Sequence, residues 1–172
     1  MDGSLTAAVG ATTPLPWPVI LSIGAVAGLL ASIVMNWPMS RQTDGFTPAA
    51  IAAAVVSRQP VAEVSMPQLL VVHHATGMLA GVGYGLFVAI GSWIGLPSPL
   101  WLDGMDIVVH LLSVTAIVVF IYSFFAHVVL PRAGGRSYEE QATAIRGQWL
   151  RSSLVYGVAL AVLVPAIVLS LP

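Results

Sequence analysis

Apolar positions along this chain form long blocks instead of alternating with polar ones. Four blocks contain no Asp, Glu, Lys or Arg, and each is long enough for the roughly 20 apolar residues that a bilayer-spanning helix requires. The charge-free blocks are residues 3–40, 64–102, 107–131 and 152–172. The pattern predicts an all-α integral membrane protein with four transmembrane helices and short helices at the cytoplasmic interface. The predicted spans cover about 17–39, 67–95, 105–130 and 152–171.

A fifth uncharged segment, residues 45–57, is too short to cross a bilayer. Thr47 as an N-cap and Pro48 at the first helical position predict a short helix over about 48–58. We expect this helix to lie at the cytoplasmic interface or against the bundle. Four spans and their connections use nearly all of the sequence, so residues 1–172 are predicted to form a single transmembrane domain.

The charged residues give the predicted spans a direction. All six cationic residues are arginines, and they lie only between the first and second spans and between the third and fourth. Short connections rich in Arg face the cytoplasm. The sequence therefore predicts an antiparallel bundle in the cell membrane, with both termini and the connection that contains Asp103 outside. The cytoplasmic arginines are Arg41, Arg58, Arg132, Arg136, Arg146 and Arg151.

Composition excludes several classes of protein. Hydrophobic residues make up 58% of the chain and charged residues 8%, whereas a soluble domain carries about 25% charged residues. The net charge of −1 and the absence of a basic cluster argue against nucleic acid as a partner. Because the chain contains no cysteine, disulfides, iron–sulfur clusters, thiolate zinc sites and thioether-linked haem are excluded.

Small residues at helical spacing predict close packing between helices. Glycines recur every four residues in the first and second spans, which leaves a narrow face where two backbones can approach each other. The glycines assigned to helix packing are Gly24, Gly28, Gly77, Gly81 and Gly85.

Histidines are the most suggestive polar residues within the spans. His73 and His74 lie one to two turns from the cytoplasmic end of the second span, and His127 lies one turn from that end of the third. His74 also shares the face of Gly77 and is predicted to point towards His127. Polar residues of the other two spans should join this inner-leaflet cluster: Asn36, Ser152, Ser153 and Tyr156.

Three interpretations of the cluster remain open. The histidines could serve as hydrogen-bonding glue between helices. His73, His74 and His127 could instead ligate a b-type haem or a metal of unknown identity, since imidazole is a common ligand for both. They could also carry protons, because ionisable groups within membranes are often functional.

The outer half of the membrane shows fewer polar groups. Asp106 and His110 are four residues apart, which predicts an exposed pair on one helical face: a solvated ion pair, a proton-accepting pair or an external metal site. Pro165 within the fourth span should kink that helix and leave the carbonyl of Ala161 without its helical donor.

No hydrolase, zincin or nucleotide-binding motif is present, so no catalytic residue is assigned. The sequence favours a small membrane protein that acts by association, as a subunit of a larger membrane complex or as a homo-oligomer. Its expected partners are the lipid bilayer and other membrane subunits or copies of itself. The alternatives are a haem-binding redox subunit and a small proton-coupled carrier or channel.

Overall fold

The computed structural model describes residues 13–96, 98–133 and 135–171, with the backbone alone for residues 135–140. The predicted external tail before Thr13 and the side chain of Arg136 lie outside the described residues.

Within these ranges, four helices are long and apolar enough to span a membrane. Helices α1, α2 and α3 begin and end within two residues of the positions that the charge pattern predicts. The third predicted span is a composite, because α4 continues through a π-helical turn into the short helix α5. The elements are α1 (Trp17–Ser40), α2 (Thr47–Ser57), α3 (Met66–Ile94), α4 (Ile107–Phe124), the π-helical turn (Phe125–Val129), α5 (Leu130–Ala133) and α6 (Gly135–Leu169).

Local sequence signals account for several helix ends. Ser65 caps α3 in a capping box, in which its hydroxyl accepts from the backbone N–H of Gln68 while the Gln68 side chain accepts from the backbone N–H of Ser65. Gly95 ends the same helix in the left-handed region, at φ 70°. Helix α2 begins with Pro48 at its second residue, where the missing proline N–H removes no helical hydrogen bond.

Helix α6 begins well before the predicted start of the fourth span at residue 152. It runs from Gly135, with non-helical angles at Gln141, and the apolar portion that could span a membrane is Gln141–Leu169. The capping-box pattern of residues 137–140 predicts a cytoplasmic helix that can run into the fourth span, and a single arginine such as Arg151 near the end of a span does not interrupt a helix.

A small β-hairpin lies between α3 and α4. Strand β1 (Trp101–Leu102) pairs antiparallel with β2 (Met105–Asp106). Asp103 and Gly104 both have positive φ, as the tight two-residue turn between the strands requires. The segment before α1 joins the hairpin, because the N–H of Leu15 donates to the carbonyl of Gly104 at 3.1 Å.

The four long helices are arranged so that α1 contacts α3 and α6, and α4 contacts the same two helices. The core lies between them and is mainly aliphatic, with Tyr84 and Tyr156 among its largest fully buried side chains. Helix α2 packs against α3 and also reaches α5 and α6, where its Ile51 joins Leu130 and Ile145 in a second apolar cluster.

The contact between α1 and α3 is made by glycine backbones. A Cβ atom added to Gly28 would lie 2.5 Å from the carbonyl oxygen of Gly77 and 2.7 Å from the Cα of Gly81. One added to Gly24 or Gly81 would collide with the carbonyl oxygen of the other residue. Gly85 continues the contact, since its added Cβ would lie 3.1 Å from the Cα of Leu21. Contacting residues therefore follow opposite orders along the two helices.

Candidate functional site

Buried polar residues form two layers at different heights in the bundle. The first, called here the His73 layer, consists of Asn36, His73, His74 and Tyr156. The second, called here the His110 layer, consists of Tyr84, His110 and the carbonyl of Ala161.

In the His73 layer, both histidines are bonded to α1. His73 is 7% exposed, and its Nε2–H donates to the carbonyl of Ser32 at 3.1 Å. His74 is partly exposed, and its Nε2 accepts from Nδ2 of Asn36 at 3.0 Å. The two rings lie 5.4 Å apart between centroids. Adjacent residues of α3 thus tie that helix to α1 at two neighbouring points.

Tyr156 links α6 to α3 across the bundle. Its hydroxyl donates to the carbonyl of Gly77 at 2.7 Å. The same carbonyl lies beside Gly28, so the absence of side chains on both glycines opens the backbone of α3 to helices on two sides. Ser152 and Ser153 are fully buried one turn earlier in α6, and the hydroxyl of Ser153 donates to the carbonyl of Trp149 at 2.9 Å.

A cavity of about 30 Å³ lies inside this layer, between His73, Tyr156 and Trp149. A cavity of this volume has room for one or two water molecules. The walls are almost entirely apolar, because the hydrogen-bonding groups of His73 and Tyr156 are directed at backbone carbonyls. The cavity is therefore too small to hold a molecule much larger than water.

His127 is not part of the His73 layer. Its side chain is exposed and makes an edge-on ring contact with Tyr122, with 6.1 Å between centroids. The prediction that His74 and His127 face each other is therefore wrong. His127 lies in the π-helical turn, whose extra residue rotates the helix away from the register that a regular α-helix would have.

This placement also removes the predicted ligand pair for a haem. A bis-histidine site between the second and third spans needs one inward imidazole from each, and both imidazoles of this layer, the buried His73 and the partly exposed His74, come from α3. Within the part of the chain that the structure describes, no three His, Asp or Glu residues are grouped closely enough to hold a metal ion.

The His110 layer joins three helices through one imidazole. His110 is 1% exposed, and its Nε2–H donates to the carbonyl of Ala161 in α6 at 3.3 Å. Its Nδ1 therefore accepts from the hydroxyl of Tyr84 in α3, at 2.7 Å. Pro165 has no N–H to offer the carbonyl of Ala161, so His110 supplies the donor that this proline removes.

The predicted pair of Asp106 and His110 does not form. Asp106 is 6% exposed and caps α4, because its Oδ1 accepts from the N–H groups of Val108 and Val109 at 2.9 and 3.1 Å. The i,i+4 rule applies to two residues within a helix, whereas Asp106 lies in the strand that precedes α4. The predicted exposed pair is replaced by a helix cap and a buried imidazole.

Some buried polar atoms lack a partner among the described residues. They lie near the end of α1 and in the turn of α6 before Ser152. These atoms are Asn36 Oδ1, Gln42 Oε1, Gln148 Oε1 and Trp149 Nε1.

Neither a protein-family model nor a curated protein nor a solved structure matches this chain. The function must therefore be argued from its own residues.

Proposed function

We propose that this chain is a multi-pass protein of the cell membrane, with its four long helices antiparallel, its arginine-bearing connections in the cytoplasm and both termini outside. The division of the arginines supports the orientation. The opposite order of contacts between α1 and α3 supports the antiparallel arrangement.

The protein acts by association with other membrane helices, as a subunit of a complex or as a homo-oligomer. The polar layers favour this function over chemistry in the interior, because His73, His110 and Tyr156 each donate a hydrogen bond to a backbone carbonyl of a neighbouring helix. Side chains bonded in this way stabilise the bundle. The outer surface is then where the protein meets its partners.

The glycines of α1 and α3 do not provide that surface, since they face each other within one chain. A groove of about 160 Å³ on the outside of α3 and α4 is the main support for this proposal. Gly91, Ser113 and Ala116 form its small-residue part, and Ile90 and Leu112 are bulky residues along it. Small residues allow close approach of a second helix in lipid. This groove is suited to a bulky side chain of a partner helix.

Site-specific photo-cross-linking tests the association. Leu112 lines the groove, whereas its neighbour Leu111 does not, and the two side chains are 54% and 51% exposed. A photo-reactive residue such as benzoylphenylalanine at Leu112 should give a protein adduct in native membranes, and the same residue at Leu111 should give little. An adduct with a tagged second copy identifies a homo-oligomer, and an adduct with another protein identifies a subunit. Equal adducts at both positions, or none at Leu112, would refute association through this groove.

Single-cysteine labelling tests the orientation independently, because the chain has no native cysteine. Ser98→Cys in the connection before the hairpin should react with a membrane-impermeant maleimide added outside intact cells. Ser57→Cys at the end of α2 should react only after the cells are opened. The reverse pattern would invert the proposed topology.

A further inference from the structure

A second groove runs along the outside of α6 beside α1. Its volume is about 430 Å³, and all of its lining residues are apolar. The lining residues are Val34, Leu154, Val155, Val158, Ala159, Val162 and Leu163. Residues 154–163 of α6, at a rise of 1.5 Å each, make the groove about 15 Å long. This length accommodates a substantial part of one acyl chain in one leaflet.

Two arginines lie on the faces that form this groove, beyond the same end of it. On α6, Arg151 precedes Leu154 by three residues and Val158 by seven, so it shares their face. Arg41 is the C-cap residue that follows α1, seven residues after Val34, and Trp37 lies between them on the same face of the helix. Apolar surface therefore passes into cationic surface at one end of the groove, on both helices.

The side chains of these arginines are available to a ligand. Both are exposed, and among the described residues neither forms an ion pair with a carboxylate. The guanidinium of Arg41 lies over the ring of Trp37, 5.6 Å from its centroid. Trp37 is 67% exposed, as expected of an aromatic residue at the level of lipid headgroups.

We propose that this groove is a binding site for one anionic phospholipid of the cytoplasmic leaflet, with an acyl chain along α6 and the phosphate beside Arg41 and Arg151. The inference rests on the membrane embedding and orientation proposed above. Charge complementarity selects a lipid as the occupant, since a partner helix of apolar side chains would leave both guanidinium groups without an anion. It also selects an anionic lipid over a zwitterionic one, which brings its own cation to the headgroup.

The test uses purified full-length protein in detergent, mixed with equal amounts of dioleoylphosphatidylglycerol and dioleoylphosphatidylcholine, with bound lipid measured by native mass spectrometry. One phosphatidylglycerol should bind in preference to phosphatidylcholine. Arg151→Gln and Arg41→Gln should each weaken its binding about fivefold, which corresponds to ~1 kcal/mol per arginine. Arg132→Gln makes the same change of charge at an exposed residue of α5 and should have no effect.

Substitutions in the groove test the acyl chain separately from the phosphate. Val158 and Val119 are 66% and 57% exposed, and only Val158 lines the groove. Val158→Trp should weaken the binding of both lipids, and Val119→Trp should weaken neither. The proposal is overturned if phosphatidylglycerol shows no preference, if Arg132→Gln acts as strongly as Arg151→Gln, if Val158→Trp leaves binding unchanged, or if millimolar inorganic phosphate displaces the lipid.

The outcome is separable from that of the association proposal. The lipid measurement is made on purified protein without partners. The cross-linking measurement probes the other groove, on the outside of α3 and α4. A lost preference for phosphatidylglycerol with an intact adduct at Leu112 would refute the lipid site alone. A retained preference without that adduct would refute association alone.

Discussion

The contact of α3 with α1 and its contact with α4 are built from different parts of the chain. Against α1, backbone meets backbone, because glycines of both helices face each other. Against α4, side chains mediate the contact: Tyr84 bonds His110, and an added Cβ on Gly91 would lie 2.7 Å from Cγ1 of Val109. Side chains can change rotamer, and backbones held in a helix cannot. The same helix therefore has one rigid interface and one adaptable interface.

The largest expected effect comes from enlarging a residue at the rigid interface. Gly81→Leu should destabilise the bundle by ~3 kcal/mol or more, because carbonyl and Cα atoms of α1 block the new side chain. Gly91→Leu should cost less, about 1–2 kcal/mol, since its added Cβ meets the side chain of Val109 and no backbone atom. Reversible unfolding in mixed micelles, followed by circular dichroism, measures both. Similar losses at the two positions would show that the interfaces do not differ in rigidity.

Gly83→Ala provides a control on the same helix. An added Cβ at Gly83 meets only the terminal methyl group of Ile117, at 3.2 Å. We expect this variant to unfold like the wild type, which would exclude a general intolerance of α3 to larger residues.

An intermediate effect is expected for the imidazole that links α3, α4 and α6. His110→Leu should destabilise the bundle by about 1–2 kcal/mol, because it leaves the Tyr84 hydroxyl and the Ala161 carbonyl without a partner. Pro165→Ala restores a backbone N–H that can reach the Ala161 carbonyl. A double-mutant cycle should therefore show that His110→Leu costs less in the Pro165→Ala background. Strict additivity would mean that His110 does not compensate for the proline.

The smallest effect is expected for the polar bond that accompanies the rigid interface. Asn36→Leu removes the donor to His74 but leaves the glycine contacts in place. Hydrogen bonds between membrane helices average about 0.6 kcal/mol, and Asn36→Leu also removes the unpartnered Oδ1, so the free energy of unfolding should fall by no more than about that amount. A loss as large as that of Gly81→Leu would show that the histidines, and not the glycines, hold α1 to α3.

The helices could be predicted from the sequence more fully than the polar contacts. Hydrophobic length and the positions of arginine suffice for the bounds of α1 and α3, because a membrane helix satisfies its own backbone. The glycine spacing also indicated which face of α3 meets another helix. The lack of a helical donor for the Ala161 carbonyl could also be predicted, because Pro165 has no N–H.

The errors arose where rotation about a helix axis decides the outcome. A π-helical turn adds one residue to a turn, and no residue in Phe125–Val129 marks it, so the direction of His127 could not be derived. The four-residue spacing of Asp106 and His110 predicts a pair only if Asp106 is helical, whereas a carboxylate immediately before a helix is better placed to cap it. Its actual partners, Tyr84 and Ala161, are distant in sequence and become neighbours only when α3, α4 and α6 pack together.

The glycine contact between α1 and α3 can form before the later helices are synthesised. Both of its halves lie within the first 94 residues, since α1 ends at Ser40 and α3 at Ile94. A ribosome adds about 5–20 residues per second, so several seconds of synthesis remain when this pair of helices is complete. Helices α1 and α3 can pack together during that time without any residue of α4 or α6. The later helices then pack against a pair of helices whose glycine surface is already covered.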